Sequence, residues 1–219
     1  MPDLPGALGI EWEGEDEAAE ETARQGTMKS KPSVAYPMLH KALRFATKKH
    51  RFMDRDGDNP LPYVTHPVEV VKHVRHLAGV TDETVLCAAA LHDLVEDTEV
   101  TPADIERKFG PKVAALVAEV TRREPTPDET DGMSPQEIWS LRNERLMEEI
   151  DRMSPEAKVI KLADRLSNIV DGLKTRSGPS LRRYVEQTRQ ILGRIPRSTS
   201  PPVWDAIEYA LEGASEGDS

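Results

Sequence analysis

A single cysteine among 219 residues excludes an internal disulfide and leaves no set of thiolates for a closed structural zinc site. That residue, Cys87, lies in the apolar run 85–91 and reads as a small buried hydrophobe. Long apolar runs are also missing. None approaches the ~20 residues that cross a bilayer, and the first residues lack the basic start and apolar core of a secretory signal. A cytoplasmic protein with no membrane partner is the expectation. Positive charge is scarce as well, with 29 Lys and Arg against 39 Asp and Glu and a net charge of −10. Eight of those acids fall in residues 1–21 and three in 212–219, both free of bases, so removing these eleven leaves the middle of the chain at +1. A near-neutral middle offers no broad basic face for duplex nucleic acid, whereas a small anionic substrate is compatible with it. No segment alternates as a strand would and no internal repeat is found, which makes the class all-α.

Hydrophobic content of 37% is low for a fully packed chain of this length. Residues 1–33 are acidic, small and proline-punctuated, and are expected to form a disordered tail. One domain should occupy 34–211, with a second disordered tail over 212–219. Leu39, Leu43 and Ala46 recur at helical spacing up to about His50, where the Asp-rich stretch 54–60 breaks the helix. Pro67 should open a second helix running to Gly79, with His66 as its N-cap. Asp82 caps a third, whose buried side is Val85, Leu86, Ala89 and Leu91, with His92, Asp93, Glu96 and Asp97 at its C-terminal end. Further helices follow from Thr101 to Gly110 and around 113–120. Residues 122–135 hold three prolines and no apolar stripe and read as a loop. Long helices resume around 138–150, 157–173, 181–195 and 203–211.

His92-Asp93 is the chemical centre of the chain. Six His and 16 Asp supply roughly 0.4 such dipeptides by chance, so the pair needs partners. In an unbroken helix the two side chains point ~100° apart, with Glu96 one turn above His92. His66 and Asp164 have the right chemistry and a helical setting to complete a site. Two imidazoles and two carboxylates make a mixed, fairly hard donor set suited to Mn²⁺, with Fe²⁺ as the alternative.

These residues and the words around them resemble the HD superfamily of metal-dependent phosphohydrolases, and within it the hydrolase domain of the Rel/SpoT alarmone enzymes. The resemblance spans about residues 36–175. It rests on Pro62-Tyr63-Val64-Thr65-His66-Pro67, the Ala89–Thr98 word with Leu91-His92-Asp93 and Val95-Glu96-Asp97-Thr98, Phe109-Gly110, Val120-Thr121, and Lys161-Leu162-Ala163-Asp164-Arg165-Leu166-Ser167-Asn168. It implies a bundle of about 8–10 helices. It also implies one Mn²⁺ on His66, His92, Asp93 and Asp164, water activation by Glu96 and Asp97, and Asn168 beside the site. The implied reaction removes the 3′-diphosphate of ppGpp or pppGpp, giving GDP or GTP and pyrophosphate. Glu96 is the preferred base and Asp97 its partner or orienter. Lys161 and His50 join the substrate-binding candidates.

The chain departs from that pattern at two places. The loop before His66 normally carries a basic pair that touches the nucleotide; here Arg55 fills the first position and Asp56 the second, with Arg51 as a substitute cation. Ser167 stands where the family often has an aromatic residue or histidine. About 45 residues follow Leu173, too few for a synthetase fold, so a stand-alone hydrolase is expected, regulated by expression, oligomerisation or the tails. Two other readings stay open: hydrolysis of another phosphorylated nucleotide such as NADPH or a dNTP, and a non-catalytic nucleotide-binding module. The pair Glu96-Asp97 argues against the last, since a binding module has little need of it.

Overall fold

The computed structural model describes residues 35–58 and 60–216, the last three for their backbone only. The contacts divide the chain into Met1–Ala35 and Tyr36–Ser219. The expected N-terminal tail lies outside the described residues. In the second unit the elements are α1 (Pro37–Lys49), α2 (Thr65–Lys72), α3 (Glu83–Leu91), α4 (Leu94–Asp97), α5 (Pro102–Phe109), α6 (Pro111–Val120), α7 (Pro135–Arg152), α8 (Pro155–Thr175), α9 (Gly178–Arg194) and α10 (Pro201–Glu216). The described residues contain no strand, only an isolated bridge between Asp54 and Pro62. The all-α expectation holds.

Two helices form the centre. α3 is apolar on every side, with residues 85–91 all buried, as a helix surrounded by others must be. It packs against α1, α2, α6 and α8. α8 is buried along most of its length but carries Lys161, Asp164 and Arg165 among its apolar residues. α10 lies along α8 through Val203, Ile207 and Leu211, and α9 bridges α7 and α8. Fully buried Leu86, Leu91, Ile160, Leu162 and Ile169 each contribute roughly 1.5–3 kcal/mol by leaving water.

Helix ends are set by local chemistry. Thr101 with Asp104 and Ser134 with Glu137 form reciprocal capping boxes on α5 and α7, each followed by proline in the first turn. The first turn of α1 has no cap of its own; the Glu83 carboxylate on α3 accepts from the Met38 and Leu39 amides at 2.6 and 3.0 Å. Loop 121–134 is tied down by ion pairs of Glu124 with Arg142 and Glu129 with Arg145.

Three boundaries differ from the sequence reading. α2 starts at Thr65, two residues before Pro67, so His66 lies inside the first helical turn and Val64 is the N-cap. The same helix ends in a π-helical turn over His73–Leu77. The helix expected through Asp97 breaks after Leu91: Asp93 sits at φ −90°, ψ −8°, and its carbonyl starts the new turn of α4 by accepting from Glu96 and Asp97. At the other end of the chain, α10 continues past Leu211 to Glu216.

Candidate metal centre

The break after Leu91 gathers the donors. Instead of pointing ~100° apart as on an unbroken helix, His92 and Asp93 converge, with His92 Nε2 3.0 Å from Asp93 Oδ1. The first turn of α2 brings His66 Nε2 to 3.2 Å from His92 Nε2 and 3.3 Å from Asp93 Oδ2. From α8, Asp164 Oδ1 lies 3.4 Å from His66 Nε2 and 3.7 Å from His92 Nε2. Ligand atoms ~2.1 Å from one divalent ion are ~3.0 Å apart at right angles and ~3.4 Å apart at tetrahedral angles. His66, His92 and Asp164 can each offer one atom at spacings of that order, and Asp93 approaches the two imidazoles through different oxygens, Oδ1 toward His92 and Oδ2 toward His66.

Both imidazoles are oriented by their other nitrogen. His92 Nδ1–H donates to the Ala89 carbonyl at 2.9 Å, which leaves the Nε2 lone pair free for a cation. For His66, the Ser167 hydroxyl donates to the Glu69 carboxylate at 2.6 Å, so its oxygen accepts from His66 Nδ1–H at 3.0 Å. Asp164 is held on both oxygens: Asn168 Nδ2 donates to Oδ1 at 2.5 Å and Lys161 Nζ to Oδ2 at 3.1 Å. Such outer contacts fix the orientation and basicity of metal ligands.

The electrostatics follow from crowding. Burial opposes charge on His66 and His92, but Asp93 and Asp164 outweigh it and hold both imidazoles above their ordinary value, His92 well above. Burial likewise disfavours the charged carboxylates, yet His92 and His66 beside Asp93, and Lys161 with the same imidazoles beside Asp164, hold both well below the usual range. Cation and anion here stabilise one another, a role that a divalent ion would take over from the imidazole protons.

Next to the donors lies the acid pair. Arg122 fixes Glu96: its amide donates to Oε1 at 2.8 Å and its guanidinium to Oε2 at 3.0 Å. Asp97 Oδ2 is 2.7 Å from the Tyr63 hydroxyl, which also reaches Asp93 Oδ2 at 2.6 Å. The single hydroxyl proton serves one of these oxygens. Burial, with Asp93 and Glu96 nearby, pushes the Asp97 carboxyl up despite the Tyr63 hydrogen bond.

These residues open into a cavity of about 320 Å³, floored by α8 and lined by Arg55, Tyr63, Arg122, Lys161, Asn168 and Arg176 among others. Arg55 donates to Asp171 at 2.7 Å and to Asn168 at 3.2 Å, and so reaches Asp164 through Asn168. Two expected substrate contacts lie elsewhere. His50 is buried behind Tyr63, ring centroids 4.6 Å apart, outside the cavity lining. Arg51 is exposed and stacks over Phe52, so it does not substitute for Asp56. Lys161 lines the cavity but is buried as the partner of Asp164. Ser167 is fully buried against His66 and Glu69 and does not shape a nucleoside pocket. The sequence reading gave no role to Glu69, Tyr63 or Arg122. Glu69 is three residues after His66 and Ser167 three after Asp164, so helical phasing places each on the face of its neighbour.

A profile of the HD domain family matches residues 42–193. The chain is 40% identical over 178 residues to the mouse guanosine-3′,5′-bis(diphosphate) 3′-pyrophosphohydrolase MESH1, covering 80% of this chain and 93% of the relative. To the human MESH1 it is 41% identical over 134 residues, 61% of this chain and 68% of the other. Among solved structures it is similar to a metazoan ortholog of SpoT that hydrolyses ppGpp, with TM-score 0.68 and 30% identity over 86% of this chain and 98% of that one.

Proposed function

The chain belongs to the HD domain family, and from that premise we propose that it is a Mn²⁺-dependent 3′-pyrophosphohydrolase of ppGpp and pppGpp. The observation that carries this reading is the convergence of His66, His92, Asp93 and Asp164 beside a cavity that Asp93, Asp164, Glu96 and Asp97 line. No cysteine takes part, and the mixed imidazole and carboxylate set favours Mn²⁺ over a structural zinc. Bound there, a divalent ion supplies Lewis acidity to the phosphoryl oxygens and to water.

The chain's own residues do the rest. Asp97, whose carboxyl burial pushes up, replaces the Glu96 preferred from the sequence as the base: it takes a proton from the attacking water, whose oxygen forms the new bond to the phosphorus attached to O3′. The bond from that phosphorus to O3′ breaks, O3′ receives the proton that Asp97 took from the water and becomes the nucleoside hydroxyl, and pyrophosphate leaves. Glu96, clamped by Arg122, orients the water beside Asp97. Asn168 and Lys161 hold Asp164, and the cationic side chains of the cavity lining offset the charge of the phosphates.

Ser167 and Asp56 were the two departures that favoured a different phosphorylated nucleotide. Ser167 orients the His66 imidazole and Asp56 faces Arg176, so a cation still stands at the loop position that Asp56 occupies. The test is to incubate the protein and Mn²⁺ with ppGpp, pppGpp, NADPH and dNTPs, with Glu96→Ala as the control. Pyrophosphate from ppGpp and pppGpp, lost in the variant, is the expected result. Phosphate from NADPH alone would assign the other substrate, and no turnover at all would make the chain a binding module.

A further inference from the structure

The cavity floor runs well past the metal centre. Asp164, Asn168, Asp171 and Thr175 line it in successive turns of α8, and Arg176 closes the far end. Twelve residues of helix separate Asp164 from Arg176, a length of ~18 Å. A substrate attacked at its 3′-diphosphate therefore has its remaining charged group within reach of a different set of residues.

Of the other cations that line the cavity, Arg165 is buried and bonded to the neutral Gln187, and three are held by anions. Lys161 is held by Asp164, Arg122 by Glu96, and Arg55 by Asp171 and Asn168. Arg176 is bound more loosely. Its ion pair is a single 3.3 Å contact from Nη2 to Asp56 Oδ2, with side chains 37% and 83% exposed. Its guanidinium lies 4.8 Å from the Tyr184 ring centroid, which fixes its plane and leaves its N–H edge available. Asp56 is held opposite it by the backbone. Gly57 adopts φ +118°, a conformation that L side chains rarely adopt, and an added Cβ would come within 3.0 Å of Thr175 Cγ2.

We infer that Arg176 binds the substrate's second charged group, the 5′-diphosphate that is not hydrolysed, and that Asp56 is a placeholder anion which the diphosphate displaces. The identity of that group rests on the function proposed above. A diphosphate presents several oxygens to the guanidinium fork, whereas Asp56 offers one long contact at the solvent edge. Asp56 thus occupies the position where a loop cation was expected, and the cation comes instead from the end of α8.

GDP and guanosine separate this inference from the reading of catalysis, because GDP keeps the 5′-diphosphate and has nothing to hydrolyse at O3′. Calorimetric titration of the Mn²⁺-loaded full chain should show Arg176→Gln weakening GDP by about tenfold while leaving guanosine unchanged. Asp56→Asn should tighten GDP by a few-fold, since it removes the competing anion. Equal GDP affinity in wild type and Arg176→Gln overturns the inference, as does an equal loss for guanosine, which would place Arg176 at the base. Arg176-dependent GDP binding by a protein that releases no pyrophosphate from ppGpp would leave the inference standing and remove the proposed activity.

Discussion

The Ser167 hydroxyl accepts from His66 Nδ1 at 3.0 Å, a contact between residues 101 positions apart in sequence that fixes which imidazole nitrogen faces the metal centre. Glu69 completes it by accepting the Ser167 proton at 2.6 Å. Ser167→Ala should therefore weaken Mn²⁺ binding by about 10–100-fold, the range seen when an outer hydrogen bond to a metal ligand is lost. Titration calorimetry measures it. An unchanged affinity would mean that packing alone sets the ring.

Metal binding should depend on pH with a definite sign. His66 and His92 carry raised values in the metal-free fold, and a metal needs both imidazoles neutral. Affinity should fall as pH drops through those raised values, with protons released on binding, which titration in buffers of different ionisation enthalpy detects. The metal-free fold responds in the opposite sense. Its raised imidazoles contribute stability that is full below their unfolded value, about 6.5, and lost as pH rises through the folded values. The metal-free melting temperature should thus decline across that window, and saturating Mn²⁺ should remove the decline.

Asp97→Asn should lower kcat by about 10²–10⁴, the usual contribution of a positioned acid or base. The base must be ionised to act, so the wild-type rate should fall on the acid side through the raised Asp97 value, and the variant should lose that limb. A variant whose acid limb is intact would transfer the role to Glu96.

Lys161→Met should destabilise the fold by about 3–5 kcal/mol in the metal-free state, because it leaves Asp164 charged and buried without its ammonium partner. Chemical denaturation with and without Mn²⁺ checks this. Saturating metal should recover much of the loss by supplying the missing positive charge. If Lys161 served only the substrate, stability would not change.

The parts of the site that were legible in the sequence are those whose chemistry is local. His92-Asp93 with Glu96-Asp97, the Pro62–Pro67 word and the Lys161–Asn168 word each hold their donors within a turn or two, so the resemblance of these words to the HD superfamily was enough to choose them. The convergence of His92 and Asp93 was not legible, because it depends on a helix break that follows no proline or glycine. Ser167 with Glu69, and Arg176 with Asp56, pair across 98 and 120 residues. Only the packing of α2 and of the loop 53–64 against α8 decides those partners. The burial of His50 behind Tyr63 was not legible either, because Tyr63 comes from a different segment.

The central claim is that water activated at the His66, His92, Asp93 and Asp164 centre attacks phosphorus. Hydrolysis of ppGpp by the Mn²⁺-loaded protein in ¹⁸O-labelled water tests it most directly, with both products analysed by mass spectrometry. The predicted result is one labelled oxygen in pyrophosphate and none in GDP. Label in the 3′-hydroxyl of GDP, or the absence of pyrophosphate among the products, would contradict it.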